Sequence, residues 1–194
     1  MAELPIVSRG EGRKPCSPVR IEGDIALVTL SNGWTATIDA EDADLVRQYR
    51  WGGLGRSWKA RRKYAATPIG SNLVGMHRLI LDAPEGMTVD HIDQNGLNNR
   101  RSNLRLATIA QNMANSGPKK DNRLGLKGVS QKRRRFMANI THEGKTTYLG
   151  LFVNKEDAAE AYRKAAIAIH GEFAYRPDQD KRVPRAIPDS YKGK

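Results

Sequence analysis

The chain has 194 residues and carries 33 lysines and arginines against 21 acidic residues, a formal net charge of +12. That length suits one ordinary domain or two or three small ones, and the charge points to a polyanion: nucleic acid first, with ribosomal or membrane-surface binding also compatible. No stretch is long and apolar enough to span a bilayer and no signal-like segment opens the chain, so a soluble cytoplasmic protein is expected. The lone Cys16, in a Pro-rich leader, offers neither a disulfide framework nor a cysteine zinc site and reads as an incidental thiol.

Residues 1–20 lack periodicity and hold Pro5, Gly10, Gly12, Pro15 and Pro18, which predicts a flexible arm. Residues 21–72 are expected to form a β-rich module. Its first part is a hairpin, Asp24 to Leu30 and Trp34 to Ile38, joined through Ser31-Asn32-Gly33, since Asn-Gly is a strong short turn signal. Asp39 is then placed to cap a short helix through Ala43, Leu45, Val46 and Tyr49, with Glu41 and Asp42 suited to its positive N-terminus. Trp51, Trp58 and Tyr64 follow among Gly52, Gly53, Gly55 and the basic set Arg56, Lys59, Arg61, Arg62 and Lys63. Nucleic-acid contact is expected from the basic side chains there rather than from stacking by the tryptophans, because aromatic residues near strands are more often core.

Residues 73–115 form the middle unit and contain the densest chemistry. Cutting a phosphodiester needs charge neutralised on the phosphate and leaving oxygen, and a base to activate water. Asp90 supplies a hard oxygen ligand, and His91 a base whose ordinary pKa lies near neutrality. In an extended strand these neighbours point to opposite faces, so joint use requires a bend, twist or bulge. Asn103 precedes a second short strand, in which Leu104 and Leu106 alternate with Arg105. Thr108-Ile109-Ala110-Gln111 matches a capping box that starts a helix at Ile109. Asn112 then falls one turn inside, where its amide oxygen can face Asp90 if the helix packs across the strand pair. Asn95, Asn98 and Asn99 around Gly96 read as turn formers. His77 is read as packing the motif, with substrate contact as its alternative. Asp93 is an alternative ligand ranked below Asp90, and Arg101 and Arg105 are read as phosphate clamps or salt-bridge partners.

Asp90-His91, Asn103 twelve residues after the histidine and Asn112 nine further on resemble the HNH nuclease motif in its His-Asn-Asn form, as in phage and intron homing endonucleases. Met76 to Ile80, Pro84-Glu85-Gly86, Val89 to Asp93 and Asn99 to Arg105 extend the likeness over residues 73–115. The resemblance implies a ββα-metal fold in which Asp90 and Asn112 hold the metal, His91 is the general base, and Asn103 orients the histidine or its loop. Where the family more commonly has a third histidine this chain has Asn112, and an all-oxygen ligand set favours Mg²⁺ or Mn²⁺ over zinc.

Residues 116–126 read as a polar linker. Beyond them Gly128 to Gln131, Phe136 to Ile140 and Thr146 to Phe152 are expected strands, the last two separated by His142-Glu143-Gly144-Lys145. A helix is expected from Lys155 to His170, its apolar residues at helical spacing and Gly171 as its stop. Residues 127–173 resemble the AP2 DNA-binding domain, through Gly128 to Gln131, Tyr148 to Phe152 and Glu156 to Ala166. That likeness implies a three-stranded sheet facing the major groove, with Phe136 and Tyr148 at positions where plant members commonly have tryptophan. Lys132, Arg133, Arg134 and Arg135 form a cationic turn expected to contact phosphate. Residues 174–194, with Pro177, Pro184 and Pro188, are expected to be an extended or disordered basic tail.

The expected fold class is α+β in small modules: an N-terminal hairpin and helix region, a ββα-metal unit, and a three-stranded antiparallel sheet with one helix. The expected function is that of a metal-dependent HNH DNA endonuclease of the phage homing type. It would act as a monomer on double-stranded DNA in a bacterial host cell, without membrane contact. The competing readings are a noncatalytic DNA-binding protein on an HNH-like scaffold and an RNA-binding, ribosome-associated protein.

Overall fold

The structure is a computed structural model that describes residues 16–55, 63–119 and 121–180. Alternation in the first hairpin decides its faces. Ala26 and Val28 of β2 (Ile25–Thr29) and Ala36 and Ile38 of β3 (Thr35–Asp39) are wholly buried, and Gly33 takes the left-handed conformation the turn requires. A strand not expected from sequence, β1 (Val19–Glu22), completes an antiparallel sheet in the order β1-β2-β3. Residues 16–20 therefore differ from the expected flexible arm. Trp51 N–H donates to Ser17 Oγ at 2.7 Å and Ser17 N–H donates to Tyr49 O at 3.1 Å, which anchors this segment before β1 begins. Residues 1–15 lie outside the described residues.

The expected helix after Asp39 is shorter than its apolar spacing suggested. A 3-10 turn (Ala40–Asp42) runs into a single α-helical turn, α1 (Ala43–Val46). Asp39 does not cap it, because its carboxylate is taken by Arg100 and the backbone N–H of Arg101. Trp51 then enters the core wholly buried, its indole N–H on Val46 O at 2.9 Å. A second antiparallel sheet follows, formed by β4 (Gly52–Leu54), β5 (Tyr64–Ile69) and β6 (Asn72–Gly75) in sequential order. Trp58 and the basic residues Arg56, Lys59, Arg61 and Arg62 lie outside the described residues.

The helix α2 (Met76–Ile80) leads to the strand pair β7 (Thr88–His91) and β8 (Leu104–Ala107), and α3 (Ile109–Asn115) crosses that pair. Both bonds of the expected capping box form, Gln111 N–H on Thr108 Oγ1 and Thr108 N–H on Gln111 Oε1. One apolar core runs from Ala26 and Ile38 through Trp51 and Met76 to Val89 and Leu104, so the strand pair is mounted on the two sheets that precede it.

The described residues between 117 and 128 carry no helix or strand, but Pro118 is buried and Leu124 and Leu126 pack on the C-terminal core. There β9 (Val129–Lys132), β10 (Arg135–His142) and β11 (Lys145–Phe152) form an antiparallel sheet with β10 in the middle. The sixteen-residue α4 (Lys155–His170) covers one face, its Ala158 and Ala166 against Val129, Ala138 and Ile140. Gly128 is left-handed, and a Cβ there would collide with the Tyr162 ring. The tail expected after Phe173 is packed where it is described: Ala174 is buried against Ile140 and Ala166, and a 3-10 turn (Pro177–Gln179) follows. Residues 181–194 lie outside the described residues. The fold is thus a mixed α and β chain of several small antiparallel sheets and few helices.

Truncating a wholly buried tryptophan removes its contacts and the indole hydrogen bond to Val46 O. Trp51→Ala should lower unfolding free energy by about 3–5 kcal/mol in urea titrations. Leu73→Ala, at a side chain 60% exposed, should stay within about 0.5 kcal/mol of the parent.

Candidate active site

His91 is the last residue of β7, and the chain turns immediately after it, with Gln94 N–H on His91 O at 2.9 Å. Both residues stay in the β7–β8 ladder, Asp90 opposite Arg105 and His91 opposite Leu104. Asp90 and His91 are both buried and line one cavity of about 30 Å³ together with Tyr64, Gln94, Asn112 and Asn115. Gln94 holds the turn in a left-handed conformation uncommon for a side-chain-bearing residue. Its carboxamide donates to Asn115 O at 2.6 Å and accepts from Gly117 N–H at 3.2 Å, fastening the turn to the end of α3.

The Asp90 carboxylate is held from two sides. Arg105 lies directly across the strand pair and donates through Nε and Nη2 to Oδ2, at 2.9 and 2.7 Å. Asn115 donates to Oδ1 at 3.0 Å, to Oδ2 at 3.1 Å and to His91 O at 3.0 Å. Oδ1 thus carries no ion pair and is the less saturated oxygen. The Asn112 carboxamide makes no hydrogen bond among the described residues although it borders the same cavity. Asp90 and Asn112 border the same cavity, and a carboxylate with a carboxamide can offer the oxygen donors that a hard divalent cation such as Mg²⁺ or Mn²⁺ takes.

The His91 ring is packed rather than free. His77 meets it edge to face at 5.1 Å between centroids and Tyr64 lies tilted against both at 5.7 Å. His91 Nε2 is 3.3 Å from Asn99 Oδ1. Burial pushes the His91 pKa down, against the Asn99 bond and the Asp93 and Asp90 charges, which raise it. Burial together with the neighbouring His91 and Arg78 lowers His77 to about 3, so His77 is neutral at any working pH. Gly75 makes room for the His77 ring, which any Cβ there would strike.

The Asn103 side chain makes no hydrogen bond to His91 among the described residues. Its Oδ1 accepts from Asp93 N–H at 3.0 Å, and its Nδ2 donates to Asp93 Oδ1 and Asn98 O, both at 2.8 Å, closing the loop between β7 and β8. Asp93 also receives Asn95 N–H and Asn98 Nδ2, so its carboxylate is occupied by the loop. Arg105, besides gripping Asp90, donates to Glu172 O at 2.7 Å and stacks on Phe173 at 4.1 Å. Arg101 pairs with Asp42 at 2.7 Å and Glu41 at 3.3 Å. Asp39, Glu41 and Asp42 bring carboxylates within metal-ligand range of one another, but Arg100 and Arg101 neutralise that group, which lies apart from the cavity. Lys132, Arg133, Arg134 and Arg135 form the exposed β9–β10 turn, with no ion pair among the described residues.

A family model described as HNH endonuclease matches residues 82–114, which span β7, β8 and nearly all of α3. A protein of Acanthamoeba polyphaga mimivirus, named as an uncharacterized HNH endonuclease, is 32% identical over 156 residues, 76% of this chain and 77% of the relative. The chain belongs to the HNH endonuclease family. Protein 3.8 of Escherichia phage T7 is 40% identical over 93 residues, 47% of this chain and 76% of that protein. No solved structure matches.

Two members of this HNH site escaped the sequence reading. Asn115 is one helical turn beyond Asn112, and its i, i+3 spacing was the available signal. Asn99 was read as a turn former, and its wholly buried side chain has no counterpart in the local sequence. Arg105 was open to either role, and its place opposite Asp90 in the ladder accounts for the salt bridge.

Removing one partner of a buried ion pair strands the other, so Arg105→Ala should cost about 3–5 kcal/mol of unfolding free energy in denaturant titration. His77 has a second signature. Below pH 6.5 the unfolded chain binds a proton at His77 that the folded chain refuses down to about pH 3, so stability is lost as pH falls through that window. Between pH 7 and 5 the unfolding free energy should decline less steeply in His77→Phe than in the parent.

Proposed function

We propose that the chain is a metal-dependent DNA endonuclease of the phage homing type, hydrolysing phosphodiester bonds in duplex DNA. The observation that carries the proposal is the convergence of the Asp90 carboxylate, the unengaged Asn112 carboxamide and the His91 ring on one cavity. Asp90 and Asn112 would hold Mg²⁺ or Mn²⁺, which when bound supplies positive charge for the phosphate and the leaving oxygen. His91 removes a proton from water as the new O–P bond forms, while the bond from phosphorus to the leaving sugar oxygen breaks and that oxygen takes a proton from solvent. Asn103 acts on the loop that carries His91, while Arg105 and Asn115 hold Asp90 against rotation.

The substrate is assigned to DNA from the family and the charge. Residues 73–115 are the nuclease unit in this reading, carried by 21–72. Residues 127–173 form an AP2-like grip, joined by 116–126 and flanked by the basic tail. Lys132, Arg133, Arg134 and Arg135 contact phosphate from the β9–β10 turn. Arg101 and Arg105 would contact phosphate only by leaving Asp42 and Asp90. No helix of the described residues is long and apolar enough to cross a membrane, and the chain is proposed to work as a monomer on DNA in a bacterial host.

Incubation of the protein with plasmid DNA and Mg²⁺ tests this reading. The wild type should cleave and His91→Ala should cleave roughly 10²–10⁴-fold more slowly while still binding. Wild-type protein inert across metals and targets would leave a noncatalytic DNA-binding protein. Replacing Arg133, Arg134 and Arg135 by Ala should reduce the slope of log affinity against log salt by about 0.9 per lost phosphate contact; an unchanged slope would remove these residues from the interface.

A further inference from the structure

Arg105 belongs to β8, yet part of what fixes its guanidinium comes from beyond α4. Nε and Nη2 form the fork on Asp90 Oδ2. Nη1 donates to Glu172 O at 2.7 Å, and the guanidinium carbon lies 4.1 Å from the centroid of the Phe173 ring. The Arg105 side chain is 13% exposed and the Glu172 side chain 75%, so the Glu172 backbone and the Phe173 ring enclose the guanidinium, and the Glu172 carboxylate, 3.7 Å away, does not. Glu172 and Phe173 form a 3-10 turn (Gly171–Phe173) after α4. That turn is anchored in the C-terminal core: Ala174, whose N–H donates to Gly171 O at 3.2 Å, is buried against Ile140 and Ala166. A second tether runs the same way. Lys127, just before β9, donates to Met113 O at 3.2 Å and Ala114 O at 2.6 Å. Those carbonyls adjoin Asn115, the last residue of α3, whose carboxamide also holds Asp90. Both side chains that grip Asp90 are therefore held in turn from the C-terminal sheet and helix.

We infer that the turn at Glu172 and Phe173 is a positioning element for the Asp90 site: by fixing the Arg105 guanidinium, the C-terminal sheet and helix set the orientation of the carboxylate that receives the cation. A guanidinium is planar, with five N–H donors in fixed directions. Held at both edges and stacked on one face, it is locked in orientation, and the Asp90 carboxylate is locked with it. Without the Phe173 ring the guanidinium would be open to water, where an ion pair contributes little and long side chains keep their freedom. Groups behind a metal ligand tune the affinity by how firmly they orient it. The C-terminal unit then acts on cleavage through the cation as well as through its grip on DNA. This role rests on the proposed cation site for its consequence at Asp90, but not for the fixing of Arg105.

The test uses the full chain, with Mn²⁺ titrations read by electron paramagnetic resonance in the absence of DNA and solvent exchange of the Arg105 Nε–H in ¹⁵N-arginine-labelled protein. Melting curves set an assay temperature at which every variant is folded. Phe173→Leu keeps apolar bulk but loses the aromatic face. It should raise the Mn²⁺ Kd and speed the exchange, each by roughly two- to thirtyfold, the span of a cation–π contact from exposed to desolvated. Its kcat for plasmid cleavage should fall at subsaturating Mn²⁺ and recover in excess Mn²⁺, with duplex affinity measured without metal unchanged. Phe173→Tyr, which keeps the ring, should match the wild type. Lys127→Met, at the second tether, should also raise the Mn²⁺ Kd, so the outcome does not hang on one variant. An unchanged Kd in both Phe173→Leu and Lys127→Met, when Asp90→Asn abolishes Mn²⁺ binding, would overturn the inference. A wild type that holds no Mn²⁺ at Asp90, with exchange still accelerated in Phe173→Leu, would count against the cation reading and uphold the role of Phe173 in fixing Arg105.

Discussion

A carboxylate withdrawn from water is tolerable only when its charge is met, and in this chain that demand organises the site. Asp90 is buried between β7, β8 and α3, and each of its neighbours supplies part of the compensation. Arg105 meets it from the opposite strand and Asn115 from the helix, and Arg105 continues to Glu172 and Phe173 after α4. Strand pairing, helix placement and docking of the C-terminal segment are therefore coupled through one side chain. The same contacts leave Oδ1 without an ion pair, at a cavity that Asn112 also borders, which is what the proposed cation site uses.

Charge elsewhere follows a related logic. Arg100 and Arg101 bind the β7–β8 loop to Asp24, Asp39 and Asp42 near the N-terminal sheet, fixing the loop that carries Asn98 and Asn99. Lys127 caps the C-terminal end of α3 by donating to Met113 O and Ala114 O, and desolvation there lowers its pKa to about 8. These cations serve the structure. The β9–β10 turn is different: its four basic residues are exposed and without ion pairs among the described residues, so they retain the long-range attraction that a polyanion would feel.

The sequence was legible where signals are local. The capping box at Thr108, the Asn-Gly turn before Trp34 and the helical period of residues 155–170 all depend on neighbours a few positions away, and each forms. The spacing of Asp90, His91 and Asn112 was legible through family resemblance, and the cavity they share gives it geometry. Less visible were features set by tertiary register. Burial of the Asn99 carboxamide follows from a bridge to Thr37, sixty-two residues earlier in the chain. The short helix after Asp39 reflects competition, since Arg100 and Arg101 claim the carboxylate expected to cap it. Residues 16–18 resemble a mobile leader in composition but are fixed by Tyr49 and Trp51, partners that no local pattern announces.

The proposed cation is held by Asp90 and Asn112, as opposed to the acidic group at Asp39, Glu41 and Asp42. Electron paramagnetic resonance of Mn²⁺ with the intact protein and a non-hydrolysable duplex separates the two. One tightly held ion is predicted for the wild type and for Glu41→Gln, and its loss in Asp90→Asn and Asn112→Ala. Retention of that ion in both cavity variants, with loss in Glu41→Gln, would contradict the account.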